Sequence, residues 1–276
     1  MVHAVPPIAL TIAGSDSGGG AGIQADIKAM QANGAFAASV VTAITAQNTT
    51  SVSSVFELPV SVIADQIDAV MSDLAVRTVK AGMLSSSEII STVAERLRHW
   101  NVKSFVLDPV MVSKSGYNLL REDAVEALRN ELFPLATLVT PNALEASRLT
   151  GLGPIRSIAD ARRAARIIHE MGAKAVLVKG GHLEHETEAV DVLYDGTNLH
   201  LFREARVDTK HTHGTGCTYA SAIAAGLARG LALDVAVARA KLYVTKAIRH
   251  GLAMGSGHGP VDHFYFFREN ATFPYG

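Results

Sequence analysis

Short β-branched runs alternate with longer amphipathic segments along almost the whole chain, and this alternation restricts the fold more than any other feature of the sequence. Ile8 to Ala13, Ala37 to Thr45, Thr78 to Ala81, Ser104 to Leu107, Thr137 to Val139 and Ala175 to Val178 read as strands. Between them, Ile23 to Asn33, Val60 to Leu74, Ser87 to His99, Glu122 to Leu132 and Ile158 to Met171 carry helical patterns. Strands separated by helices return parallel to one another, so an α/β fold with a central, mostly parallel sheet is expected. The texture changes beyond residue 178. There Val190 to Tyr194 and Leu199 to Glu204 flank Asp195-Gly196, a hairpin signal that predicts antiparallel strands at one edge. Two further helices, Gly216 to Arg229 and Leu233 to His250, close the pattern.

At 276 residues and 48% hydrophobic content the chain can bury one large core, and one domain over 1–276 with a short tail at 1–7 is expected. The formal net charge is -1, with Lys and Arg scattered singly, so neither nucleic acid nor an anionic membrane is an expected partner. A small molecule is. Cys217 is the only cysteine, which excludes an intrachain disulfide. The first residues lack a secretory pattern and no apolar run has spanning length, so a cytoplasmic protein is expected.

Several short segments carry chemistry. Gly14 to Gly22 holds five glycines with Ser15, Asp16 and Ser17 between a buried strand and a helix, where backbone can approach a ligand unobstructed by Cβ atoms. It lacks the Lys-Ser/Thr of the common phosphate loop and the later carboxylate of a dinucleotide fingerprint. His213-Gly-Thr-Gly-Cys-Thr218 leads into an Ala-rich helix, so the N–H groups of Thr215, Gly216 and Cys217 can converge at its positive end as an anion hole for a transferring phosphoryl group. Asp108 and Glu145 fall just past the carboxyl ends of predicted strands, where hard oxygen ligands suit Mg²⁺. Each also has a structural reading, since Asn142 can cap a helix and Asp108 can accept from a backbone amide. Lys179 emerges from its strand at the same edge, placed either to neutralise polyphosphate or simply to be solvated. The neighbouring pairs His182/His185 and His211/His213 lack the helical spacing and cysteine partners of a zinc site and read as loop residues.

Taken together, Ile12 to Asp26, Val41-Thr-Ala with Ala46-Gln-Asn-Thr49, Lys80-Ala-Gly-Met83, Leu107 to Gly116, Thr140-Pro-Asn142 with Glu145-Ala146, Val178 to His182, Thr212 to Thr218 and Gly257-His-Gly-Pro260 resemble the hydroxymethylpyrimidine/phosphomethylpyrimidine kinases. The resemblance runs in order from residue 8 to about 264. It implies a ribokinase-like three-layer α/β/α sandwich, a homodimer, and ATP- and Mg²⁺-dependent phosphorylation of 4-amino-5-hydroxymethyl-2-methylpyrimidine and then of its monophosphate in thiamine biosynthesis. By position it implies that Gln47 hydrogen-bonds the pyrimidine in a pocket formed with Gly14, Asp16, Ala21, Met83 and Val110. Lys179, Asn142, Thr212 and the loop Gly214, Thr215, Gly216, Cys217 would then serve ATP and the transferring phosphate. The chain departs from the family's usual pattern at Gly19, His211 and Tyr219. Ribokinase relatives usually place an Asp base where Cys217 stands; a helix N-terminus lowers a thiol's pKa, so partial thiolate character is expected. A thiol would also tolerate a phosphorylated substrate that a carboxylate would repel. The rival expectations are a pyridoxal/pyridoxine kinase and, further off, a non-catalytic pyrimidine-binding module.

Overall fold

The structure is a computed structural model and describes residues 5–112, 116–117, 119–121, 123–181, 183 and 186–269. The chain runs through β1 (Ile8–Asp16), α1 (Gly22–Ala32), β2 (Phe36–Gln47), β3 (Val52–Glu57), α2 (Val60–Asp73), β4 (Val76–Ala81), α3 (Ser87–His99) and β5 (Phe105–Leu107). It continues through α4 (Ala124–Ala127), β6 (Leu138–Val139), α5 (Ala143–Thr150), α6 (Ile158–Glu170), β7 (Val176–Val178), β8 (Glu188–Tyr194), β9 (Leu199–Ala205), α7 (Thr215–Ala228), α8 (Leu233–Arg249) and α9 (Tyr265–Glu269). The strands form one sheet in the order β3-β2-β1-β4-β5-β6-β7-β8-β9. From β2 across to β7 the neighbours are parallel, and β3, β8 and β9 pair antiparallel at the two edges.

Successive residues of a strand point to opposite faces, and here each face meets its own helices. Leu10, Ile12, Val79, Phe105, Leu107, Val139 and Val176 pack into one core with Ile63 and Ile67 of α2, Ile90 and Val93 of α3, and Ala164 and Ile168 of α6. The alternate residues Ala9, Val106, Leu138, Leu177 and Leu193 pack on the other face with Ala29 and Met30 of α1, Ile223 of α7, and Val237 and Val244 of α8. Two cores on two faces make the expected three-layer sandwich. Local signals start the helices: Ser86 accepts the Ile89 N–H ahead of α3, and Ser157 forms a capping box with Asp160 ahead of α6.

Four elements differ from the sequence reading: α5 and α9 are additional short helices, and β3 and α4 depart from it as well. β3 is an additional strand whose alternation is blurred by Ser53 and Ser54 on an exposed edge. The helix expected over Glu122 to Leu132 keeps only one α-turn, Ala124–Ala127, and widens into a π-turn over Leu128–Leu132, while Glu122 itself lies outside the described residues. Pro134 stands just beyond; it has no N–H to donate and crowds the carbonyl four residues earlier, which loosens the last turns.

Candidate active site

From β1 the chain passes to β2 on one side, and β4 lies against the other flank of β1, so the strand order reverses there. In open α/β sheets the carboxyl ends of strands at such a reversal form a crevice. A cleft of about 1370 Å³ opens at this point, and every residue singled out above for substrate, phosphate or metal lines it, from Gly14 on β1 to Cys217 on α7.

The two glycine loops touch backbone to backbone. Gly214 caps α7 with φ +77°, and a Cβ there would lie 1.8 Å from the Gly20 carbonyl oxygen. Only glycine fits. Asp16 knits the first loop by accepting from the N–H groups of Gly18 (2.8 Å), Gly20 (3.1 Å) and Ala21 (2.8 Å). The same carboxylate takes His213 Nε2 at 2.9 Å, which clamps one loop to the other. Burial would raise the Asp16 pKa, but His213 and the loop amides outweigh it and hold the carboxyl below its ordinary value. Ser17 in turn pins both backbone groups of Gln47. The Gln47 side-chain oxygen Oε1 accepts from Thr45 Oγ1 at 3.2 Å, and its Nε2 lies 3.4 Å from His213 Nε2. A ring nitrogen 2.9 Å from a carboxylate carries its proton toward that oxygen, so the Gln47 amide N–H groups are left for a ligand.

Across the cleft, Asp108, Glu145 and Lys179 form a buried charged cluster. Lys179 donates to Asp108 Oδ1 at 2.7 Å and Thr140 Oγ1 donates to the same oxygen at 3.1 Å. Burial opposes the Lys179 charge, yet Asp108 and Glu145 beside it raise its pKa overall. Glu145 closes a capping box with Asn142 at the start of α5, so the structural reading of both residues holds alongside their place on the cleft wall. Desolvation, reinforced by Asp108 and opposed by Lys179, pushes the Glu145 carboxyl up to about 7. Native Glu145 therefore keeps a proton that the unfolded chain has lost, and its contribution to stability is full below pH 4.5 and is lost as pH rises through about 7. Urea midpoints across this window are expected to decline in the metal-free protein, and Glu145→Gln is expected to remove that part of the slope.

The bare face of Gly216 looks into this cluster. A Cβ there would lie 3.3 Å from Lys179 Nζ and 3.6 Å from Asp108 Oδ2. The Thr215 hydroxyl and N–H both turn back to the Thr212 carbonyl, at 2.7 and 3.3 Å. Thr215 thus contributes to the turn, and the N–H groups of Gly216 and Cys217 are the ones left to meet an anion. The expected thiolate character of Cys217 is corrected: desolvation pushes the thiol up to about 12, and Lys80 together with the Gly22 N–H only partly offsets it. The thiol is neutral at the floor of the cleft.

Beneath the two loops lies a fully buried ion pair absent from the sequence reading. Lys80 Nζ donates to both oxygens of Asp26, at 2.8 and 3.0 Å, and Asp26 also accepts from Thr11 and Ser221. Four elements, β1, β4, α1 and α7, meet in this one carboxylate. Lys80→Met would strand its charge, so a loss of about 3 to 5 kcal/mol in unfolding free energy is expected from denaturant titration. Replacing both Lys80 and Asp26 by apolar residues should recover part of it, because the pair's desolvation cost goes too.

The other end of the cleft is lined by Asp191, Val207, Tyr219, Lys241, Val244 and Ile248, which no local pattern in the sequence brings together. Lys80 was visible only as a member of a quoted motif, and His213 only in a motif and in a histidine pair read as loop residues. Of the histidine pairs, His182 and His185 lie outside the described residues. His211 accepts from Gly259 N–H and His213 serves Asp16, and among the described residues no group of three His, Cys, Asp or Glu is placed to hold a metal.

A family model described as phosphomethylpyrimidine kinase matches residues 16–262. The chain is 51% identical over 258 residues to the hydroxymethylpyrimidine/phosphomethylpyrimidine kinase of Streptomyces coelicolor, covering 94% of each. It is 53% identical over 254 residues to a thiamine biosynthesis bifunctional protein of Geobacter sulfurreducens, covering 92% of this chain and 51% of that protein, about half its length. Among solved structures, a Bacillus subtilis pyridoxal kinase in complex with ADP superposes with TM-score 0.88 at 37% identity, covering 97% of this chain and 100% of that one. A phosphomethylpyrimidine kinase from Clostridium difficile superposes with TM-score 0.77 at 46% identity, covering 87% of this chain and 99% of that one.

Proposed function

The chain belongs to the phosphomethylpyrimidine kinase family, and from that premise we propose that it is an ATP-dependent, ribokinase-like kinase of thiamine biosynthesis that phosphorylates 4-amino-5-hydroxymethyl-2-methylpyrimidine and then its monophosphate. The observation that carries this reading is the side-chain-free face of Gly216, which leaves an open path bounded by Lys179 and Asp108 at the positive end of α7.

The pyrimidine lies against Gly14, Ala21, Met83 and Val110, with its polar edge on the Gln47 amide; Asp16 keeps this wall in place through the loop it binds. The alcohol oxygen attacks the terminal phosphorus of ATP while the bond from that phosphorus to the bridging oxygen of ADP breaks. Negative charge on the transferring group is met by the N–H groups of Gly216 and Cys217 and by Lys179, which exchanges Asp108 for phosphate. In a loose transition state the hydroxyl proton leaves late, onto an oxygen of the transferred phosphoryl group, so the neutral thiol of Cys217 need not act as a strong base. Asn142 and Thr212 shape the phosphate side of the cleft through the turns they hold.

The buried carboxylates of Asp108 and Glu145 are hard oxygen donors, and an added cation would relieve the proton held by Glu145, so the pair fits Mg²⁺. When bound there, Mg²⁺ would supply neutralising charge to the nucleotide phosphates. No helix among the described residues is long and apolar enough to cross a membrane, in keeping with a cytoplasmic enzyme. Ile44 and Phe56, register partners on β2 and β3, are both exposed at the sheet edge and suit the face of a homodimer. We read 1–276 as one kinase domain.

Gln47→Ala tests the acceptor site. Truncation leaves a ring edge and its partners unpaired, so pyrimidine affinity is expected to fall by about 10- to 100-fold in calorimetric titration while ATP affinity changes by less than about twofold. Equal losses for both ligands would count against the assignment.

A further inference from the structure

Lys179 can serve phosphate only if the backbone behind it holds still, and the residues that follow it, Gly180 and Gly181, provide no stiffness of their own. The Gly180 N–H donates to Asp191 Oδ1 at 2.9 Å, and Gly180 packs so tightly on β8 that a Cβ would lie 1.8 Å from the Val190 carbonyl oxygen. Asp191 is 2% exposed, and its other oxygen pairs with Lys241 Nζ of α8 at 2.8 Å. On the far side, the Lys179 N–H donates to Pro141 O at 2.8 Å. Tyr219 of α7 stands over the same carboxylate, and burial together with the Asp191 charge raises its phenol.

From this arrangement we infer that the buried Asp191–Lys241 pair is a positioning device for Lys179: it fixes the Gly180 amide and so aims the Lys179 ammonium across the cleft at the phosphate path. A buried ion pair is a poor stabiliser compared with well-packed apolar residues of the same size. Here its use is the hydrogen bond that Asp191 Oδ1 supplies to the Gly180 N–H beside the functional lysine, from a buried carboxylate whose other oxygen is paired in charge with Lys241. The inference rests on the kinase reading for the role of Lys179.

The test uses Asp191→Ala, Asp191→Asn and the double variant Asp191→Leu/Lys241→Leu. Thermal melts, kcat and KM with the pyrimidine alcohol, and calorimetric affinity for ADP are compared with wild type. Asp191→Ala should lower kcat by about tenfold or more and raise KM for ATP several-fold, with the pyrimidine KM within about twofold. Asp191→Asn keeps an acceptor for the Gly180 amide and should recover kcat to within about threefold of wild type. The double variant replaces the pair by apolar residues and should melt close to wild type. It still offers Gly180 no acceptor, so its kcat and ADP affinity should stay low even if Asp191→Ala alone fails to fold. A folded double variant with normal kcat and ADP affinity would overturn the inference. So would an Asp191→Asn variant no better than Asp191→Ala. ADP binding needs no acceptor substrate, so a wild type inactive toward the pyrimidine would refute the substrate assignment while the ADP affinities still decide this one.

Discussion

Gly216→Val is expected to cut kcat by about a hundred- to a thousandfold, the cost of losing one preorganised donor to a developing oxyanion, with pyrimidine affinity held within about threefold. The new Cβ would sit 3.3 Å from Lys179 Nζ and 3.6 Å from Asp108 Oδ2, in the space that the proposed mechanism assigns to the phosphoryl group. Gly14 and Met83, on the proposed pyrimidine wall, are not among the neighbours that the new Cβ would meet. Position 216 lies in the first turn of α7 and has no positive φ, so a β-branched residue costs little in folding. The measurement is steady-state turnover beside a calorimetric titration of the alcohol and a thermal melt. Near-normal turnover in a folded variant would refute the anion hole.

Cys217→Asp should separate the two acceptors. Activity on the neutral alcohol is expected to stay within about threefold of wild type, because a carboxylate is a competent base for that hydroxyl. Activity on the monophosphate should fall by about tenfold or more, which corresponds to ~1.4 kcal/mol. Two unit charges about 4 Å apart repel by about 4 kcal/mol at an effective dielectric of 20, so only a third of that repulsion is needed. Around position 217, Asp26 and Asp108 disfavour an anion, while Lys80, already paired with Asp26, and the Gly22 N–H favour one. Comparing kcat/KM for both substrates in wild type and variant reads the ratio. Parallel loss, or parallel retention, would show that the neutral thiol is not what admits the phosphorylated substrate.

Most of the sheet was legible because a buried parallel strand writes its two-sided burial into the sequence as a continuous apolar run, as in Val176–Val178 and Phe105–Leu107. β3 was not, because an exposed edge strand needs apolar residues on neither face consistently and carries Ser53 and Ser54. The glycine loops were legible for a local reason as well: Gly214 and Gly216 are required by contacts so close that no other residue fits or leaves the path open. Contacts between distant segments were hidden. Lys80 pairs with Asp26 across 54 residues and His213 reaches Asp16 across 197, and neither separation leaves a periodic trace. The thiol of Cys217 shows the same limit in its chemistry. A helix N-terminus lowers a thiol's pKa in isolation, but the burial that raises it depends on how α1, α7 and β4 close over the site.

The central claim is the choice of acceptor, since the chain shares its fold with pyridoxal kinases at 37% to 39% identity. The most direct measurement is kcat/KM of the wild-type protein with ATP and Mg²⁺ for the pyrimidine alcohol, its monophosphate and pyridoxal under one set of conditions. The Gln47 edge and the neutral thiol predict turnover of both pyrimidines, with pyridoxal slower than the alcohol by about tenfold or more. Turnover that stops at the monophosphate, or that favours pyridoxal, would contradict the account.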